Sequence, residues 1–291
     1  MLDVVIALLP ATVAAVVFFG MRALLLIAVS VTASVLSEFV FNLICKKKQT
    51  VGDLSAVVTG LLLAINLSTQ VTVWQTIVGA VFAIIVVKCL FGGIGCNFAN
   101  PAITARVMML IAFGQTGATV HTVFEDAEIA AGATPLGVLD GLEGELPSLL
   151  DMFLGNRGGA IGETCAIAII IGFVYLVARR VIHWQVPAIF VGTVFVLSFL
   201  LGGFDVILAT YHTLAGGLLL AAVFMATDYS TTPTNVRGKM IFALGCGIIT
   251  VLIRFYGDYP EGVSFAVLFM NILAPYIEGW TARRPLGGAK K

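Results

Sequence analysis

Three stretches carry residues able to do chemistry. In EIAAGATPLGVL (128–139) a Gly-Ala-Thr-Pro turn sets the Thr134 hydroxyl among small residues, where a modifying enzyme could reach it. Alone, one Thr before Pro is an ordinary turn residue. The other two stretches are GGIGCNFANPAITAR (92–106) and GGLLLAAVFMATDYSTTPTNVRGK (216–239). Both are Gly-rich, polar and Pro-containing, yet both interrupt apolar runs. Irregular backbone at membrane depth must line a cavity or be buried in protein. Helix N-termini there would present unpaired N–H groups to an anion or a polarised ring system. Asn97, Asn100, Asp228, Thr231, Thr232 and Thr234 are the candidate wall of a cofactor or substrate site. The plainer alternative is a loop with helix caps, for which Asp, Thr and Asn are common.

Ionisable residues inside apolar runs are costly and usually functional. Glu38, Lys88, Glu163, Asp205 and Glu278 are of this kind, and most stand near a run's end, where they can snorkel or cap. Glu38 lies well inside its run and is the candidate for an ion or proton path. His121, His183 and His212 lack metal-ligand spacing. Cys45, Cys89, Cys96, Cys165 and Cys246 form no CxxC, so small buried residues are expected rather than disulfides or a metal cluster. No catalytic or metal-ligating set is assigned. No nicotinamide fingerprint is present, since GGIGCNFAN departs from GxGxxG and follows no strand.

The elements that hold these residues are apolar helices. Hydrophobic residues make up 59% of the 291 and charged residues 11%, so lipid must be the solvent for most of the surface. Continuous rather than alternating apolar runs select helices over a barrel. The first run continues directly into further spans, unlike a cleaved signal peptide. Spans are expected at 3–19, 21–45, 53–69, 73–91, 101–114, 161–179, 186–202, 207–226, 239–254 and 262–280, with kinks at Pro10 and Pro275. If the N-terminus is cytoplasmic, eleven of the sixteen cations fall in cytoplasmic segments: Lys46–Lys48, Arg179, Arg180, Arg237, Lys239 and the basic tail. That favours an even span count with both termini inside. The acidic segment 115–160 is then outside. It divides the chain into a first five-helix repeat (1–114), the loop, and a second repeat (161–291). Five spans per half makes the repeats inverted, and paired interrupted segments in such repeats mark an interface site. Zero net charge gives no nucleic-acid signal.

In order along the chain, DLSAVVTGLLLAINL (53–67), GGIGCNFANPA (92–102), GATPL (132–136), FMATDYSTTPT (224–234) and IRFYGDYPEGVSFAVLFMNILAPYIE (253–278) resemble one family. It is the family of the D subunit of the Rnf ion-translocating ferredoxin:NAD⁺ oxidoreductase and the B subunit of the sodium-pumping NADH:quinone reductase. The short chain is closer to the Rnf subunit. The resemblance implies FMN joined through its phosphate to a Thr, delivered by a flavin transferase. The family pattern is acidic-x-x-Ser/Thr-Gly-Ala-Thr. Gly132, Ala133 and Thr134 match it, while Glu128 stands for the usual Asp and Ala131 for the Ser or Thr. The resemblance also implies a urea-transporter-like fold and a second, non-covalent flavin, riboflavin, near Asn97, Asn100 and Asp228. Implied partners are the iron–sulfur, flavin and membrane subunits of the complex, since this chain has neither a nicotinamide nor an iron–sulfur motif. A stand-alone small-solute transporter or channel is the alternative from another class.

Overall fold

A computed structural model describes residues 1–114, 118–120, 130–132, 134–141, 144, 146–257 and 261–282. The molecule is mainly helical, and many large apolar side chains are exposed on its exterior. Met21, Ile44, Tyr256 and Trp280 are all at least 74% exposed, a surface suited to lipid rather than water.

The first helix, α1, covers Leu2–Ile44. Unbroken, its 43 residues would extend about 65 Å, twice the roughly 30 Å of hydrocarbon it has to cross. It breaks at Gly20, where φ is 65° and ψ is −155°. A Cβ there would meet nothing within 4 Å, so glycine is needed for the backbone conformation and not for room. Helical geometry runs on through Pro10, so the break expected at the proline falls instead between the two predicted spans. Beyond Gly20, α1 packs on α2 (Ser55–Ile65), whose Gly60 admits the α1 backbone: a Cβ would stand 2.8 Å from Val31 Cα.

Helix α3 (Val73–Val81) continues as a π-helix over Phe82–Cys89, and α4 follows as Pro101–Phe113. The segment between them is irregular. The second half repeats the device. After α7 (Ala166–Ala178) and α8 (Gln185–Leu201), helix α9 (Val206–Leu214) breaks at Ala215–Gly217. It resumes, bent by 62°, as α10 (Leu218–Leu220) and a π-helix over Ala221–Met225. A second irregular segment leads to α11 (Val236–Tyr256), and α12 (Val263–Thr281) runs on through Pro275. π-Helical turns gather at functional sites; here each precedes one of the two polar segments.

Three helices, α1, α11 and α12, are long and apolar enough to cross a bilayer, and the bent α9–α10 pair makes a fourth candidate. Two of the shorter apolar helices stop well inside their predicted spans: α2 has 11 residues where 53–69 was expected, and α7 has 13 where 161–179 was expected. The reason is local. Both give way to polar turns that dock on each other, with Ile161 and Gly162 N–H donating to the Leu67 and Ile65 carbonyls at 2.9 and 2.7 Å.

The helical class expected from the sequence holds, with one small strand pair beside the helices. Ala118–Val120 (β1) pairs antiparallel with Ala130–Gly132 (β2), Ala118 opposite Gly132. Two short helices follow, α5 (Pro135–Leu139) and α6 (Leu149–Leu154). Among its described residues the segment between 114 and 161 therefore holds secondary structure of its own.

Candidate functional site

The two interrupted segments meet at the end of the molecule that bears Met1. Asn100 caps α4: its side-chain oxygen accepts from Ala102 N (3.0 Å) and Ile103 N (3.3 Å), and Pro101 fills the first helical position, which needs no donor. The same amide donates to Asp228 Oδ2 at 3.3 Å, across 128 residues of sequence. Asp228 also accepts from Ser230 N (3.1 Å), from the Ser230 hydroxyl and from the Thr231 hydroxyl (3.1 Å), while Thr232 donates to the Asp228 carbonyl at 2.5 Å. Asn271 of α12 completes the join. With its amide turned to satisfy both neighbours, it donates to Thr231 O and accepts from Asn100 N, each at 3.1 Å.

Asn100, Asp228, Thr231 and Thr232 are thus brought together as expected. Thr234 is not in this cluster: its backbone N–H and hydroxyl both donate to Glu278, tying the segment's exit to α12. Asn97 lines the adjoining groove, and its side-chain oxygen is sheltered without a hydrogen-bond partner among the described residues.

That groove runs between the two segments. Counted out to its open mouth, open solvent included, it spans about 720 Å³. Val58, Leu62, Leu176 and Phe224 form apolar walls, with Ser55, Asn97, Asn100, Asp228 and Ser230 at the polar end. An apolar slot with a polar end, and with an acceptor at Asn97 unused among the described residues, has the make-up of a site for a partly polar small molecule.

Lys88 stands beside the groove and is buried. Its ammonium donates to Glu38 Oε2 at 2.9 Å and to the Ser55 hydroxyl at 2.5 Å. Thr50 donates to Glu38 Oε1 at 2.5 Å, Asn42 to Thr50 at 3.0 Å, and Ser55 to Asp53 at 2.5 Å. Glu38 is therefore one half of a buried ion pair with both oxygens engaged.

A second polar cluster lies at the opposite end of α2 and midway along α4, toward Thr134. Arg106 is six residues, about 9 Å of helix rise, beyond Asn100. It donates to the Asn66 side-chain oxygen at 2.8 Å and forms an ion pair with Glu261. Arg254 of α11 closes the break in α9 by donating to the exposed carbonyls of His212 and, at 3.2 Å, Ala215. Arg157 donates to the carbonyls of Glu163 (2.8 Å) and Thr164 (3.2 Å). The sequence offered Glu163 as a residue near a span end, able to snorkel. The structure instead buries it at 2% exposure, because the Arg157 turn folds it back onto α2. Arg106, Arg157 and Arg254 were not expected as site residues; nothing marks them in the sequence beyond their charge. Asp205, by contrast, caps α9 as its position suggested, accepting from Ile207 N at 2.8 Å.

Thr134 begins the short helix whose Leu136 packs on the break in α9 beside this cluster. It caps α5, its hydroxyl oxygen accepting from Gly137 N at 3.0 Å. Leu136 is buried with Met152 and Ala215, and Tyr211 of α9 donates to the Pro147 carbonyl at 2.7 Å. A Cβ on Gly216 would lie 2.8 Å from Leu136 Cδ1 and 3.3 Å from Arg254. Burial pushes the Asp140 carboxyl up from its ordinary value, against the opposing pull of Arg254. Gly132 ends β2; Glu128 and Ala133 lie outside the described residues. A half-buried Thr hydroxyl on a helix start pinned to the membrane part suits a covalent attachment point.

Of the remaining residues singled out, His212 stacks on Phe255 at 5.0 Å. Cys89 and Cys246 are buried, as small residues should be, whereas Cys45 and Cys96 are exposed. His121 lies outside the described residues.

Fold and site define a multi-pass helical membrane protein in which two π-ended helices, one before and one after the 115–160 segment, each lead into a polar segment. The chain belongs to the NQR2, RnfD, RnfE family, whose model matches residues 1–287. It is 44% identical to the D subunit of the Na⁺-translocating ferredoxin:NAD⁺ oxidoreductase complex of Acetobacterium woodii, over 100% of this chain and 91% of that one. It is 38% identical to the D subunit of the proton-translocating ferredoxin:NAD⁺ oxidoreductase complex of Clostridium ljungdahlii, over 97% and 89% of the two chains. To the D subunit of the ion-translocating oxidoreductase complex of Methanosarcina acetivorans it is 31% identical, over 98% and 90%.

Proposed function

We propose that this chain is the D subunit of an Rnf-type complex, an electron-transfer subunit that carries FMN through a phosphoester on Thr134. The complex would couple ferredoxin oxidation and NAD⁺ reduction to Na⁺ or H⁺ translocation. The observation that carries the reading is the placement of Thr134: a Gly-Ala-Thr hydroxyl on a short helix fastened to the broken helix α9, in a chain that matches its Rnf relatives end to end. When bound, the flavin supplies one- and two-electron chemistry, bridging carriers of different stoichiometry. The protein's own part is to hold and surround it. Leu136 and Tyr211 anchor the attachment helix, and Arg254 holds the break beneath it. A flavin transferase would supply the group. Iron–sulfur, flavin and further membrane subunits would supply and accept the electrons.

The groove at the Met1 end is the seat we assign to a second, non-covalent flavin, with Asn97, Asn100 and Asp228 at its polar end. Ten spans in two inverted five-helix repeats, both termini cytoplasmic and Thr134 outside, account for the paired π-ended segments and for the bias of Lys and Arg. On this topology Glu38 and Lys88 lie toward the cytoplasm, as part of an ion path entered from that side. A stand-alone transporter would use the same interrupted helices, but it has no need of Thr134.

Purifying the chain with its flavin transferase, denaturing it in a gel and reading flavin fluorescence tests the assignment. A fluorescent band that disappears in Thr134→Ala is expected. A dark wild-type band contradicts covalent attachment and favours the transporter.

A further inference from the structure

Glu163 poses a problem that its surroundings do not solve. One carboxylate oxygen accepts from Ala160 N at 3.0 Å. The other, Oε2, is fully sheltered and has no hydrogen-bond partner among the described residues. A buried carboxylate oxygen without a donor is an expensive arrangement, and such groups are kept where they do something. The turn that carries it is rigidly held. Arg157 grips the carbonyls on both sides of the Glu163–Thr164 bond, and Gly162 presses so closely on α2 that a Cβ would stand 2.4 Å from Ile65 Cβ. Rotation of a loose loop will not relieve Oε2.

Where Oε2 points is informative. A Cβ on Gly217 would lie 3.2 Å from Glu163 Oε2, 3.3 Å from Arg106 Nη1 and 3.9 Å from Asn66 Oδ1. The carboxylate therefore faces the break in α9–α10 and the capping residue of α2, where the interrupted helices of the two halves meet. The neighbouring residue, Gly216, touches Leu136, two positions from Thr134. One backbone break thus presses on the attachment helix with one glycine and on Glu163 with the next.

The charged groups facing Glu163 can be named by element. Arg106 comes from α4, Glu261 from the segment before α12, Arg254 from α11 and Arg157 from its own turn; His212 of α9 stacks on Phe255 behind the break. Arg106 is engaged by Asn66 and Glu261 and forms no ion pair with Glu163. With Glu163 ionised, the three guanidinium groups are matched by three carboxylates: Glu163, Glu261 and Asp140, the C-cap of α5, which faces Arg254. A negative charge added nearby makes the cluster negative, and a proton joining the buried carboxylate restores the balance.

Building on the assignment of FMN to Thr134, we propose that Glu163 is a proton-binding carboxyl that loads when that flavin is reduced and unloads when it is reoxidised. In the loading step an electron passes from the ferredoxin-class reductant of the complex to the flavin. A proton from water on the Thr134 side forms an O–H bond at Oε2, the carboxylate oxygen without a donor among the described residues. Oxidation of the flavin by the next carrier returns that proton to solvent. Charge at the site is balanced in each direction.

The test is infrared difference spectroscopy of the purified complex, reduced minus oxidised, with dithionite as reductant. The wild type should gain a protonated-carboxyl stretch that moves in heavy water. Glu163→Gln should lack it, and the potential of its covalent flavin should vary less steeply with pH. Glu163→Asp should retain the band at a shifted position, and it carries the test if the Gln variant does not assemble. A gel-fluorescent wild type with no such band overturns the role of Glu163 alone, as does an unaltered band in either variant. A wild type with no covalent flavin overturns the attachment reading instead, and is recognised by its dark gel band.

Discussion

The two polar centres of this protein are built on opposite principles. At the Met1 end the groove is assembled from neutral and singly charged groups that satisfy one another. Asn100, Asp228, Thr231 and Asn271 form a closed hydrogen-bonded seam between two loops, with one unused acceptor at Asn97. At the Thr134 end, five ionic side chains converge on broken helix ends, and one carboxylate oxygen is left without a partner. A satisfied seam specifies a shape and suits a bound ring. A partly satisfied ionic cluster holds a charge balance and suits a response to charge. About 9 Å of α4 separates the two along one helix, so the same element serves both.

The largest expected effect is all-or-none and belongs to the Thr134 end: Thr134→Ala removes in-gel flavin fluorescence while the purified protein keeps its helical circular dichroism. Next come the buried charges. Arg254→Met strips the donors from the His212 and Ala215 carbonyls at the break and should destabilise by about 3 kcal/mol, seen as earlier thermal unfolding in detergent. Glu38→Gln leaves Lys88 without its counter-ion and should cost a similar amount, about 3 kcal/mol. Glu38→Leu with Lys88→Met should recover much of that stability but not ion transport, whereas electron flow through the complex should persist in both. Recovery of transport by the apolar pair would remove Glu38 from the ion path. The smallest effect is at the seam. Asn100→Ala loses an N-cap worth about 1 kcal/mol, and it should release any non-covalent flavin while covalent fluorescence is kept. If it darkens the covalent band, the two centres are not separable.

The groove was the more legible of the two in the sequence. Asn, Asp, Thr and Pro at membrane depth have few explanations, and their recurrence in both halves pointed to a joint site. Its residues also act through short-range turns and caps, which sequence spacing shows directly. The ionic cluster was hidden, because its members come together only by docking. Glu163 read as a residue at a span end, and only their charge marked Arg157 and Arg254. Glu163 and Arg157 belong to the turn whose Ile161 and Gly162 N–H groups meet the end of α2, a contact spanning almost a hundred residues, and Arg254 reaches across to the break in α9. Span positions were readable from apolar runs, but helix lengths were not. An apolar run does not reveal that α2 stops after Ile65, or that α9 bends by 62°. The paired strands β1 and β2 are three residues each, too short to leave a periodic signal.

Mass spectrometry of the peptide containing Thr134, from the chain made together with its flavin transferase, tests the account most directly. It should carry the added mass of FMN less one water on Thr134, and Thr134→Ala should remove it. An unmodified Thr134 in a complex that still passes electrons would contradict the assignment.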